Sequence, residues 1–370
     1  MKNINVNFLE LKGTSYDIGK QLGNIVLENN HLKNIFINSQ AISDNEKNVF
    51  ELFDKYCPGL NEELQGFSDV LGISKSKIVF VPLTYLTPAC SQLILLPNKT
   101  KNHHTIMARN YDYSEQMDDF CLSKTSVTNK YSHIGTNIMQ FGRGEGMNEC
   151  GLAISQSACG RPVNDYQGGK KPKVIGLQFW AVVRTLLENC KNVKEALDTL
   201  YDMPIACNIN LMIADKSGEA VLIEIMDGKK EINLIQKDNK KDYLIATNHI
   251  HIPNMINIEP YAMKNSIQRY KCLEKWVTQT PLIDEPEIKE LLLTPYPNGL
   301  MLPFYDDYFG TIKSIVFNLS LGKIDICWGG LEENKWHSFN IDSNFKNKTY
   351  SQNIKKLPTI QDFFNIKPIE

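Results

Sequence analysis

Apolar and polar positions alternate over VNFLEL at residues 6–11, the period-two spacing of a half-buried strand. The pattern then changes period. In KGTSYDIGKQLGNIVLENNHLKNIFINS, residues Tyr16, Ile18, Leu22, Ile25, Val26 and Ile35 predict helix with one apolar face. NEKNVFELFDKY predicts a second helix that stops at Pro58, and LNEELQGFSDVLG a third with its own glycine stop. The strongly apolar KIVFVPLTYLTPA, residues 77–89, closes this mainly helical leader.

Beyond Cys90 the pattern becomes strand-rich. HTIMARNYDY, GLAISQSA, INLMIADKSG, AVLIEIMDG, DYLIATNHI and TIKSIVFNLSLGKIDICWGG are short β-like runs separated by turn formers. Lys216, Ser217 and Gly218 turn the chain between two apolar runs and predict a hairpin. LQFWAVVRTLLENCKNVKEALDTL predicts two helices broken near Asn192, and residues 266–293 carry a second sheet-and-helix interval. Regular strand–helix alternation, the mark of a parallel sheet, is absent. The order fits an α+β fold of two antiparallel sheets with helices outside, residues 90–370 forming one domain after a leader of residues 1–89. The aromatic, proline-rich stretch at 295–310 is either a substrate-facing lid or a packed loop.

Composition narrows the function classes. Forty Lys and Arg against 42 Asp and Glu give a formal charge of −2, no field for a nucleic-acid backbone or an anionic membrane. No window is long and apolar enough for a membrane span, and the N-terminus lacks the apolar core of a secretion signal. The nine cysteines are scattered, odd in number and never spaced as CxxC, which favours free thiols and a cytoplasmic location.

Nucleotide-binding glycine loops, HExxH and GxSxG are missing. His103 and His104 are adjacent and point apart in a strand, while His249 and His251 lack a third ligand, so no metal site is expected. Three places could carry chemistry. Cys90 lies at the leader–body junction, after Pro88, which holds Thr87 extended. On composition alone it reads as a core cysteine. Arg109 and Asp112 close a predicted strand, and read alone they make a surface turn held by an Arg–Asp contact. Asn248, at the end of DYLIATNHI, either donates to a developing oxyanion or caps a turn.

Taken together these landmarks resemble the N-terminal-nucleophile cysteine amide hydrolases. The similarity is closer to the acyl-coenzyme A:6-aminopenicillanate acyltransferase-like branch and more distant to choloylglycine hydrolases and penicillin V acylases. It runs through ELKGTSYDIG at 10–19, RNYD, GMNECGLAIS, NINLMIADKSGEAVLIE, ATNH, SIQRY and TIKSIVFNLSLGKIDICWG, in order. The resemblance implies a four-layer αββα sandwich and no cofactor or metal. It implies Cys90 as nucleophile, made N-terminal by autocatalytic cleavage after Ala89, with Arg109, Asp112, Asn248 and Arg269 around it. Asp112 would hold the new α-amine and Arg109 would favour thiolate and orient that carboxylate. Asn248 would hold the oxyanion, with Arg269 as part of the electrostatic frame.

Two departures stand out. Ala89 occupies a position where relatives commonly carry glycine. The stretch Ser155-Gln156-Ser157-Ala158 offers no clear counterpart to a second oxyanion residue, and Asn110 and Asn148 read as structural. The implied substrate is a small N-acyl amide or acyl thioester, with no nucleic-acid or membrane partner. Retention of the leader on the mature body as a small subunit and homo-oligomerisation are both left open. Amide hydrolysis is the leading expectation, transfer of the acyl group to an amine the alternative, and an inactive binding or scaffold protein the third.

Overall fold

Residues 2–13 form a long strand, in which Ile4, Val6 and Phe8 alternate on the buried face and Leu11 is buried further along. The computed structural model describes residues 1–37, 46–76, 90–138, 140–160, 173–236, 241–344 and 346–369. The apolar stretch 77–89, with the Ala89 junction residue, lies outside them.

Strand β1 (Lys2–Gly13) leads into α1 (Ser15–Glu28), α2 (Asn30–Phe36), α3 (Glu46–Tyr56) and α4 (Leu60–Leu71). A capping box starts α1: Thr14 Oγ1 accepts from the Asp17 N–H, and Asp17 Oδ2 accepts from the Thr14 N–H. Helices α1 and α4 cross in close contact because glycine faces backbone on both. A Cβ on Gly19 would stand 1.9 Å from the Glu63 carbonyl oxygen, and one on Gly66 would stand 2.1 Å from that of Tyr16.

Next come β2 (Ser91–Leu95), β3 (Ile106–Tyr113), β4 (Cys121–Val127), β5 (His133–Ile138), β6 (Phe141–Asn148) and β7 (Leu152–Ala158). The predicted helix pair is α5 (Phe179–Asn189) and α6 (Val193–Leu200), divided where Asn192 caps α6 by accepting from the Glu195 N–H. Strands β8 (Ile209–Asp215), β9 (Glu219–Met226), β10 (Lys229–Gln236) and β11 (Tyr243–Ala246) follow. Then come α7 (Pro253–Ile256), β12 (Tyr261–Met263), α8 (Lys264–Gln279) and α9 (Glu285–Leu293). The chain closes with β13 (Pro303–Phe304), β14 (Phe309–Asn318), β15 (Lys323–Trp328), β16 (His337–Asn340), β17 (Lys348–Ile354) and β18 (Ile366–Pro368).

These strands build the expected sandwich. A nine-stranded sheet runs β10-β9-β8-β7-β6-β5-β4-β1-β17, and a second runs β11-β2-β3-β14-β15-β16 with β13 against β14. Every pairing in the two sheets is antiparallel except β1 with β4, where the leader strand enters the first sheet from outside the hairpin series. Helix α5 covers β5, β6 and β7, whereas α8 and α9 cover the second sheet at β2, β3, β11 and β14. Side chains from the facing sheets, among them Ile94, Met107 and Ile315 on one and Met147, Met212 and Leu222 on the other, share one apolar core.

Residues before 77 are joined to the rest of the fold by sheet pairing and by a buried ion pair. Strand β1 lies between β4 and β17, and Glu63 of α4 forms a buried ion pair with Arg184 of α5. Arg184 Nε also donates to Glu188 at 2.8 Å. Of the two readings for residues 295–310, the packed loop is the one observed. Leu300, Leu302, Phe304 and Tyr305 are buried, and Phe363 from the C-terminal segment fills the space between Tyr296, Phe304 and Phe309. No described helix is long and apolar enough to cross a membrane.

Candidate active site

Strand register brings the sequence landmarks into one row. Because β2 is antiparallel to both neighbours, its first residue aligns with their ends: Ser91 pairs with Asn110 of β3, and Gln92 with Ala246 of β11. Cys90 immediately precedes Ser91, so it lies beside the 109–112 segment and beside Thr247-Asn248. Helix α8 crosses above this row and lowers Arg269 onto it.

Cys90 is fully buried, and Arg109 Nη2 donates to its sulfur at 2.8 Å. From the helix side, Arg269 Nη1 donates to the Cys90 carbonyl at 2.7 Å and to Ser91 Oγ at 2.9 Å. Arg269 Nη2 donates to Asn248 Oδ1 at 2.8 Å and to Asn265 Oδ1 at 2.9 Å. The Asn248 carboxamide is thereby oriented with Nδ2 as its donor end, which reaches the Ala158 carbonyl at 3.0 Å. The structure thus brings Cys90, Arg109, Asn248 and Arg269 into one hydrogen-bonded group, with Asp112 at its edge.

The surface turn expected at Arg109 and Asp112 is not what forms. Both are fully buried within β3, and strand alternation sends positions 109 and 112 to opposite faces. Arg109 points between the sheets, where Glu145 of β6 is its buried ion-pair partner and the Gly144 carbonyl accepts from Nη1 at 3.0 Å. It therefore orients Glu145, which also accepts from Thr136 Oγ1, and not Asp112 as expected. Asp112 is held by Thr311 Oγ1, which donates to Oδ1 at 2.5 Å. Its other oxygen, Oδ2, is buried with no hydrogen-bond partner among the described residues.

This leaves an unusual electrostatic arrangement. Burial pushes Asp112 up to about 7, opposed by the Arg269 charge, the Thr311 hydrogen bond and the Arg109 charge. Burial also raises the Cys90 thiol. Arg109 opposes that rise, while the Asp112 charge adds to it. A carboxyl group raised to about 7 and a thiol with one guanidinium on its sulfur are both groups that can exchange protons near neutral pH.

Glu145, Thr311 and Thr136 escaped the sequence reading. The one signal was a carboxylate between glycines, Gly144-Glu145-Gly146, inside a strand. Asn148 has a structural position: its Nδ2 donates to the Leu187 and Cys190 carbonyls, and its Oδ1 accepts from the Cys150 and Leu152 N–H groups. Asn110 Nδ2 likewise ties β3 to the Leu292 carbonyl of α9. The rings of His249 and His251 lie 4.3 Å apart, and among the described residues no cluster of three or more His, Cys, Asp or Glu could hold a metal. None of the nine cysteines is in a disulfide.

No curated protein matches the chain. Among solved structures, a mutant conjugated bile acid hydrolase from Clostridium perfringens aligns with 74% of this chain and 99% of its own, at 16% identity and a TM-score of 0.45. Penicillin V acylase from Agrobacterium tumefaciens aligns with 73% of this chain and 100% of its own, at 17% identity and a TM-score of 0.46. The family model of acyl-coenzyme A:6-aminopenicillanic acid acyl-transferase matches residues 98–333, a segment that holds Arg109, Asp112, Asn248 and Arg269. Spanning more than half of the sequence, that match shows that the chain belongs to the acyl-coenzyme A:6-aminopenicillanic acid acyl-transferase family and is an enzyme of amide acyl chemistry, a hydrolase or an acyltransferase.

Proposed function

We propose that the chain cuts itself between Ala89 and Cys90 and then hydrolyses a linear N-acyl amide through a thioester on Cys90. The observation that carries this reading is the buried Asp112 Oδ2, which has no described hydrogen-bond partner, while the backbone N–H of the same residue meets Cys90, the residue that would gain an ammonium group.

In the uncleaved chain Asp112, with its pKa near 7, takes the thiol proton. The sulfur attacks the Ala89 carbonyl, the Cys90 nitrogen leaves with the proton returned by Asp112, and water opens the resulting thioester to free the thiol and the Ala89 carboxylate. Cleavage creates an α-amine whose ordinary pKa, about 7.7–8.0, suits it as base for the same sulfur. Once protonated, the amine donates to Asp112 Oδ2. During turnover the thiolate, favoured by Arg109, attacks the substrate carbonyl, and the amine of Cys90 passes its proton to the departing nitrogen. Water then releases the acid. Residues 1–89 remain attached to residues 90–370 after the cut, since β1 is an interior strand of the nine-stranded sheet.

Asn248 Nδ2 is the side-chain donor for the oxyanion in this scheme. Asn248→Ala lowers kcat by about 10²–10³-fold with little change in KM, the loss typical of one oxyanion donor. Steady-state kinetics with an N-acyl amide panel checks this, and an unchanged kcat/KM removes Asn248 from the role. The acyl-transferase family match supports a second reading in which an amine collects the acyl group. Adding 6-aminopenicillanic acid to the reaction distinguishes them: an N-acylated product in place of the free acid favours transfer.

A further inference from the structure

Asn248 stands on a turn beyond the end of β11, so the strand alone does not fix it. The turn is fastened from the facing sheet. Glu224 of β9 is fully buried; its Oε1 accepts from the His251 backbone N–H at 2.5 Å, and its Oε2 from the Ile252 N–H at 2.9 Å. His251 Nδ1 lies 3.0 Å from the same Oε1. Burial, with the Lys241 charge adding, pushes His251 down to about 3, so its ring is neutral. With its single proton on Nδ1 toward Glu224, Nε2 is left as an acceptor, and the Thr247 N–H donates to it at 3.3 Å.

The rest of the turn is fixed to match. Ser266 Oγ accepts from the Asn248 N–H at 2.8 Å, and Thr247 Oγ1 donates to the Ser266 carbonyl at 3.1 Å. Asn210 Nδ2 joins the Thr247 and His249 carbonyls at 2.8 and 3.0 Å. Asn210 thus holds the carbonyls of Thr247 and His249 and the Gly160 N–H that of Asn248, while three of the turn's donors depend on the Glu224–His251 pair.

We infer that Glu224, acting through His251, is a positioning residue that fixes the 247–252 turn so that Asn248 Nδ2 meets the oxyanion formed at Cys90. This rests on the oxyanion reading of Asn248 given above. Glu224 touches neither Cys90 nor its guanidinium partners in any described hydrogen bond. Its effect on turnover therefore passes through the turn, much as outer-shell partners of catalytic groups tune activity.

A double-mutant cycle tests it, using full-length protein and 4-nitrophenyl butyrate as the acyl donor. Glu224→Gln keeps the volume but places an N–H against a backbone donor. It lowers kcat by roughly 10–100-fold with KM within about threefold. In an Asn248→Ala background the same change adds nothing, because the group it positions is gone. His251→Asn, a smaller perturbation that keeps a donor toward Glu224 and loses the acceptor toward Thr247, shows the same non-additivity if Glu224→Gln fails to fold. Losses that multiply, or a Glu224→Gln enzyme with wild-type kcat, overturn the inference. Wild-type kcat in Asn248→Ala alone instead overturns the oxyanion reading beneath it.

Discussion

Replacing Cys90 with alanine leaves a protein that stays at 42.2 kDa on prolonged incubation and turns over no N-acyl amide. Loss of a catalytic nucleophile costs on the order of 10⁶ in kcat, and here the same sulfur also performs the cut. The two effects fall together because one atom serves both steps. Intact-mass analysis reads the first effect and release of the amine product reads the second. Cleavage that persists in Cys90→Ala means that another group attacks the Ala89 carbonyl. Residual amidase activity above about one part in 10⁴ places the nucleophile elsewhere.

The second large effect concerns Asp112. Asp112→Asn keeps an acceptor for Thr311 but cannot take the thiol proton or balance an ammonium charge. Its turnover falls by about 10³–10⁴-fold, the size of loss seen when a carboxylate that orients a catalytic base becomes an amide. The uncleaved chain supplies an independent check through pH. Asp112 has a pKa of about 7 when folded, against roughly 3.9 when unfolded. Between those values the native state holds a proton that the unfolded state has lost, so stability falls as pH rises from about 4 to about 7. The difference amounts to at most about 4 kcal/mol above pH 7 and vanishes below pH 4. In a Cys90→Ala background, adding Asp112→Asn therefore raises the urea midpoint at pH 8 and leaves it nearly unchanged at pH 4. Equal midpoints at pH 8 show that the carboxylate already has a cationic partner before cleavage.

Much of this architecture was legible in local patterns. Short apolar runs located β1, β3, β7, β8, β9, β11, β14 and β15 but not β2, β4, β5, β6, β10, β16 or β17; Asn192 marked the break between the two helices, and the lack of strand–helix alternation pointed to antiparallel sheets. Other features depend on partners distant in sequence. Phe363 packs against the 295–310 loop from the far end of the chain, and no periodicity within either segment shows that pairing. The insertion of β1 between β4 and β17 is of the same kind: VNFLEL shows that a strand exists and says nothing of its neighbours.

The candidate site divides along the same line. Cys90, Arg109, Asp112, Asn248 and Arg269 stood out because their surroundings resemble family motifs. The partners that give them their electrostatic character, Glu145 for Arg109 and Thr311 for Asp112, sit on strands selected by register. Pairing Arg109 with Asp112 was an error of direction. Three residues apart is one helical face but two opposite sides of a strand. Glu224 shows the limit most clearly, because its three contacts to the 251–252 segment cross from one sheet to the other.

The account turns on whether a buried carboxylate and thiol generate a new α-amine at residue 90. The most direct measurement is intact-mass and N-terminal analysis of purified wild-type protein after incubation at neutral pH. The account predicts that the 42.2 kDa species gives way to two chains that co-elute under native conditions, the larger beginning at Cys90. A chain that stays whole while it hydrolyses amides at full rate contradicts it.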